Sequence, residues 1–232
     1  MSSETESTGM IDLLAWYETN KQKVAGVGVV LLVVGFVGYF ANWKTTQTEL
    51  NASNDLFQTR LAMGKEEAEI ADPSKLLKVA SDHSGTSAGG RAVLFAASAY
   101  FEKGQYDEAQ KQFEAFLANY SDSPLRGTAM FCVAACKDGL GQTADAIDGY
   151  RRVASSFANS YLAFQAKLAM GGLYESQGEA SQALAVYDEL SHTTVPVTYS
   201  SEAGSRRESL LKKHPELAPA EEAVVESAES AE

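Results

Sequence analysis

A shift of 37 residues lays this chain on itself. The shift superposes Ala109, Ala146 and Ala183, the glycines Gly104, Gly141 and Gly178, and the aromatics Phe113, Tyr150 and Tyr187. It also aligns Ala97, Ala134 and Gly171, and it pairs Tyr120 with Phe157 and Ser123 with Ser160. Agreement at so many positions marks an internal repeat, and units of this size stack into solenoids because one unit alone cannot bury its apolar face. Each unit reads as two amphipathic helices: 90–102 and 106–119, then 125–138 and 143–156, then 161–176 and 180–191, with a Gly-containing turn inside each pair. Small residues at 97, 134 and 171 and at 109, 146 and 183 let the two backbones approach. The aromatic four residues beyond the second small residue is placed to fill the gap to the next hairpin.

Ahead of the repeats, Val24 to Trp43 is a run of 20 residues without a charge, bracketed by Lys23 and Lys44. A helix of that length spans about 30 Å, the thickness of the bilayer's hydrocarbon core, so the run reads as one transmembrane helix. Tyr39 and Trp43 fall at its C-terminal end, where amphipathic rings prefer the headgroup level, and the flanking lysines can snorkel outward. A buried core helix rarely runs so far without polar residues. A cleaved signal peptide would carry an early basic cluster, whereas this N-terminus carries Glu4, Glu6, Asp12 and Glu18. Lys21 and Lys23 precede the span and Lys44 follows it, a bias that favours the N-terminus inside.

The segments around the repeats read as caps. Residues 44–71 carry Leu50, Phe57 and Leu61 at helical spacing, and Asp72-Pro73 opens a short helix with Asp as N-cap and Pro in the first turn. This pair is expected to cover the apolar edge of the first repeat. After Val195-Pro196, Ser200–Lys213 reads as a closing helix, with Ser205 and Glu208 spaced as a capping box before Leu210 and Leu211. The expected organisation is a short N-terminal segment 1–22, a transmembrane helix 23–43 and a helical linker with N-terminal cap 44–88. Repeats (about 90–124, 127–160 and 164–191) with a C-terminal capping helix then occupy 89–213, and an acidic, disordered tail 214–232 carries six glutamates and no Lys or Arg.

Charge and chemistry narrow the function. With 19 Lys and Arg against 31 Asp and Glu, the net charge of −12 excludes a nucleic-acid binder, which needs a basic face. Gly85-Thr86-Ser87-Ala88-Gly89 matches the G-x-S-x-G string of serine hydrolases, but the nucleophile elbow needs a preceding strand, and here helices flank a loop. His83, His192 and His214 share no metal-ligand spacing and read as surface residues. Cys132 and Cys136 share one helix face, where a regular helix holds them badly for a disulfide, so packing is the expected role. Asn51-Ala52-Ser53 is a glycosylation sequon that reads as chance. No constellation of catalytic, cofactor-binding or metal-ligating groups emerges, and the chain is not expected to be an enzyme.

The stretch AASAYFEKGQYDEAQKQFEAFL, Ala96–Leu117, is the clearest copy of a pattern that resembles the tetratricopeptide repeat, and the resemblance covers about residues 90–191. Two departures are the 37-residue period and Lys137, which stands where Tyr100 and Tyr174 occupy the other copies, so the second repeat is expected to pack less tightly. The fold class is then all-α: a single N-terminal transmembrane helix followed by a tetratricopeptide-repeat-like α-solenoid. Such arrays bind through the face lined by their first helices. Carried over residue by residue, the protein-binding groove is lined by Arg91, Leu94, Ser98 and Phe101, by Thr128, Phe131, Ala135 and Asp138, and by Gln165, Leu168, Gly172 and Glu175. The Lys and Asn set by which some family members clamp a C-terminal carboxylate is absent. An apolar centre of Leu94, Phe131 and Leu168 fits a hydrophobic peptide or helix, with a terminal helix of the chain itself as the alternative occupant.

Anchor and array together, with Trp16, Tyr17 and Asn20 before the span and GGRAVLFAASAYFEKGQYDEAQ at 89–110, resemble the bacterial inner-membrane ancillary SecYEG translocon subunit family, the YfgM type, over about residues 11–191. The resemblance implies a single-pass inner-membrane protein with its repeat domain in the periplasm. Its partners would be proteins or peptides: the SecYEG translocon, exported chains and periplasmic chaperones, with no cofactor, metal or nucleic acid. A tether raises the effective concentration of the groove near the membrane, so weak peptide binding suffices. The different class left open is a non-chaperone scaffold for an envelope-assembly or cell-division complex.

Overall fold

The structure, a computed structural model, describes residues 4–64, 72–158, 160–192 and 197–218, and divides into two compact units, Met1–Asn51 and Ala52–Glu232. Nine α-helices are described: α1 Glu4–Met63, α2 Pro73–Asp82, α3 Ser87–Glu102, α4 Tyr106–Asn119, α5 Arg126–Gly139, α6 Thr143–Ser156, α7 Tyr161–Ser176, α8 Ala180–His192 and α9 Val197–Lys213.

In the first unit, α1 is long and apolar enough to cross a membrane, and none of its apolar window is buried. The polar residues beside that window satisfy themselves within the helix. The Thr19 hydroxyl and Asn20 amide donate to the carbonyls of Ala15 and Trp16, and the hydroxyls of Thr45, Thr46 and Thr48 donate four residues back at 2.9–3.0 Å. Such back-bonding leaves these short polar side chains without an unmet donor. Phe36 and Phe40 stack, and Trp43 packs tilted against Phe40, toward the end of the apolar run.

In the second unit each helix from α2 to α9 packs on its neighbours in the chain, and the first helices α5 and α7 also touch each other, as do α7 and α9. The repeat positions explain this. Ala97, Ala109, Ala134, Ala146 and Ala183 are all fully buried, and the aromatics Phe113, Tyr150 and Tyr187 lie in the core clusters beside them. The three turn glycines are the three left-handed residues inside the hairpins, Gly104 at φ 71°, Gly141 at 74° and Gly178 at 75°. Each closes its helix with the same bond one residue later: Gln105 N to Tyr100 O, Gln142 N to Lys137 O and Glu179 N to Tyr174 O, at 2.8–2.9 Å. That is the six-to-one bond of a glycine C-cap. Gly141→Ala is therefore expected to lose about 1 kcal/mol, the penalty for a Cβ in left-handed backbone, measured as a lower urea midpoint with an unchanged m-value.

Several expectations need correction. Leu50, Phe57 and Leu61, the apolar residues named for their helical spacing, are all exposed, and α1 reaches the core through Ala52, Leu56 and Met63, against Leu76, Val79, Ala88, Ala92 and Ala96. The Gly85–Gly89 string is a helix start. Gly85 takes φ +80°, Thr86 accepts the Gly89 N–H on its hydroxyl at 2.9 Å, and a Cβ at Gly89 would lie 2.2 Å from the His83 carbonyl oxygen. Ser205 caps nothing, because α9 begins at Val197 and places it mid-helix. In the second hairpin, where Lys137 replaces the tyrosine, Gly149 allows the approach instead: a Cβ there would come within 2.8 Å of the Ala134 methyl. Asp72 does cap α2, accepting the Ser74 N–H at 3.0 Å, with Pro73 at the first position. The tail expected from 214 opens with a 3-10 turn, Pro215–Leu217, and 219–232 lies outside the described residues, as do 65–71 and Val195-Pro196.

Candidate functional site

The groove positions fall at matched places on α3, α5 and α7, but they are not equally available. In the first repeat Arg91 is exposed, and Leu94, Ser98 and Phe101 are half-buried, with Phe101 held edge-on against Tyr106 at 5.0 Å. In the second, Thr128, Phe131 and Ala135 are half-buried and Asp138 is exposed. Phe131 leans on Tyr150 of its own hairpin at 5.1 Å, and partial desolvation of the carboxyl, though the residue as a whole is exposed, raises Asp138 from its ordinary value.

The third repeat differs because α9 packs beside α7 as a further first helix would. Tyr199 of α9 meets Phe164 at 5.6 Å, and a Cβ on Gly172 would meet the Arg206 guanidinium at 3.4 Å. Leu168 is only 7% exposed, inside the cluster formed with Tyr187, Leu190, Ala203 and Leu210. The reading of Leu168 as part of an apolar groove centre is corrected to core packing. Glu175 is engaged too, accepting the Tyr187 hydroxyl at 2.5 Å, while Gln165 remains at the surface. The accessible apolar part of the first-helix face therefore lies toward the N-terminal repeats.

There the sequence reading missed a feature. The last turns of α1 and the first half of α3 border an open cleft of about 530 Å³ lined by Leu56, Phe57, Arg60, Leu61, Arg91 and Phe95. The Arg60 guanidinium lies 4.1 Å from the Phe95 ring centroid, a cation–π stack, and Arg91 reaches the Ser53 hydroxyl at 3.5 Å. The signal was present in the sequence: Ala52, Leu56 and Met63 make one apolar face of α1, and Phe57 with Leu61 makes a second.

Other candidates resolve into structure. His83 is only 16% exposed at its side chain, and its Nε2 meets Asp55 Oδ2 at 2.8 Å, so it ties α2 to α1 where a surface residue was expected. Both cysteines are free thiols, and burial pushes Cys132 up to about 11 and Cys136 up to about 12, far from the thiolate that redox chemistry needs. Among the described residues no group of His, Cys, Asp and Glu is placed to hold a metal ion.

Comparison with known proteins places this arrangement. A family model described as "Tetratricopeptide repeat-like domain" matches residues 14–201. The crystal structure of BtubC (BKLC) from P. vanneervenii superposes with a TM-score of 0.53 at 13% identity, over 80% of this chain and 90% of that one. A putative kinesin light chain with nearly identical TPR-like repeats from Podosopora anserina superposes with a TM-score of 0.52 at 14% identity, over 71% of this chain and 91% of that one. At such identities the likeness is one of fold. No curated protein matches the chain.

Proposed function

Because the chain belongs to the tetratricopeptide repeat-like domain family, an array of protein-interaction modules, we propose that it is a membrane-anchored adaptor whose first-helix face binds peptide segments of other proteins outside the cytoplasm. The observation that carries the reading is the pairing of one helix fit to cross a membrane with a hairpin array whose first helices leave Leu94, Phe101 and Phe131 only partly buried. A bacterial inner-membrane setting beside the SecYEG translocon, with exported chains and periplasmic chaperones as partners, agrees with the layout and with the excess of Lys21 and Lys23 over Lys44 around the span. Tethering then substitutes for affinity: a module held near the exit site works at high effective concentration with weak binding.

Protease added to cells stripped of their outer barrier is expected to digest the repeats and leave the span protected. Repeats that survive in those cells but are cut after lysis would place the array in the cytoplasm and overturn the reading. Binding of many unfolded exported chains is the expected behaviour of the purified protein. One stoichiometric partner and no unfolded chains would make it a fixed scaffold of an envelope complex instead.

A further inference from the structure

We propose that the cleft between the last turns of α1 and α3 is a docking site for peptide segments in which an aromatic or branched apolar side chain is flanked by carboxylates. The proposal rests on the peptide-binding reading and names the partner's chemistry and its seat.

The floor of the cleft is apolar and open: Phe57 is 61% exposed and Leu61 45% exposed, although α1 already buries Leu56 on its core side. Large apolar side chains left uncovered beside a concavity mark an interaction surface. Its walls are cationic. Arg91 and Phe95 stand four residues apart on α3 and share a face, and Arg60 stacks on the Phe95 ring. Stacking occupies the flat face of a guanidinium and leaves its edge, with its fork of N–H donors, to receive a carboxylate. Neither arginine is paired with a carboxylate among the described residues, whereas Lys78, Arg151, Lys167 and Arg206 each hold one. In a chain of net charge −12, two arginines that hold no carboxylate among the described residues, set around an apolar floor, are complementary to an acidic, apolar ligand and not to a cationic one.

The test uses the full chain in lipid nanodiscs and two fluorescein-labelled synthetic peptides, one carrying Leu-Phe flanked by glutamates and one carrying Leu-Phe flanked by lysines, read by fluorescence anisotropy. The acidic peptide is expected to bind about tenfold more tightly or better, with a preference that shrinks as salt rises. Arg60→Gln with Arg91→Gln should bring the acidic peptide down to the level of the lysine peptide. Phe57→Ser, at a position too exposed to matter for folding, should weaken the acidic peptide as well, and thermal unfolding of each variant checks that the array is intact. Equal binding of the two peptides, or binding indifferent to these variants, overturns the inference and leaves the adaptor reading standing. If neither peptide binds while an unfolded exported chain does, the inference falls alone. If nothing binds, both fall.

Discussion

Replacing Tyr187 by alanine is expected to lower the stability of the Ala52–Glu232 unit by about 3–5 kcal/mol, the range for deleting a large buried aromatic. Tyr187 is 0% exposed and the largest of the fully buried side chains. It sits where α7, α8 and α9 meet, among Phe164, Leu168, Leu190, Ala203 and Leu210, so the void would lie between three helices that cannot close on it independently. Its hydroxyl, which burial pushes up to about 12, donates to Glu175 and stays protonated across the working range of pH. Tyr187→Phe keeps the ring and removes the hydroxyl's bonds to Glu175 and Arg206, and should lose about 1–3 kcal/mol. Thermal unfolding followed by circular dichroism separates the two, at about 2–4 °C per kcal/mol for a unit of this size. An alanine variant no worse than the phenylalanine one would show that the ring does not hold the end of the array together.

The same ring sets the second prediction. Gly171 occupies the small position that is alanine in the other two repeats, so alignment of the repeats recommends Ala, a residue favoured by about 1 kcal/mol inside a helix. The structure reverses that advice. A Cβ at 171 would lie 2.4 Å from Cε1 and 2.8 Å from Cζ of Tyr187, a ring that is itself fully buried. Gly171→Val should therefore lose about 3 kcal/mol, and even Gly171→Ala should fail to stabilise. The cause is checked by combining Gly171→Val with Tyr187→Ala: if the ring is the obstacle, the double variant loses clearly less than the two single losses added together. Additive losses would mean that valine clashes with something else.

These two residues show what a repeat alignment can and cannot tell. Gly104, Gly141 and Gly178 were readable as turns because a left-handed residue is a local requirement, met by glycine whatever surrounds it. The limits of α4, α6 and α7 were readable for the same reason, from periodicity and caps. Gly171 and Gly149 look like minor variations on a small residue, yet each answers to a different neighbour, the Tyr187 ring in one case and the Ala134 methyl in the other. Leu168 aligns with Leu94 and Phe131, but the helix that covers it, α9, lies beyond the repeats and carries no matching pattern. Of the residues that border the cleft, Arg91 was named from its register on α3 and Phe57 and Leu61 from their helical spacing, while Arg60 and Phe95 were not: the cleft is formed by helices about 30 residues apart in the chain, where α1 shows two apolar faces and periodicity alone cannot say which is buried.

The sequence by itself determined the helical hairpins, their turns, the small contact positions and the uncharged run able to cross a membrane, because each depends on interactions between residues no more than one hairpin apart. Only the tertiary structure decided which face of α1 meets the first repeat, which first-helix positions stay open and which are closed by α9, and that two arginines border an apolar cleft. Those outcomes depend on competition between surfaces distant in the chain, and burial is settled by which of them fit together most closely.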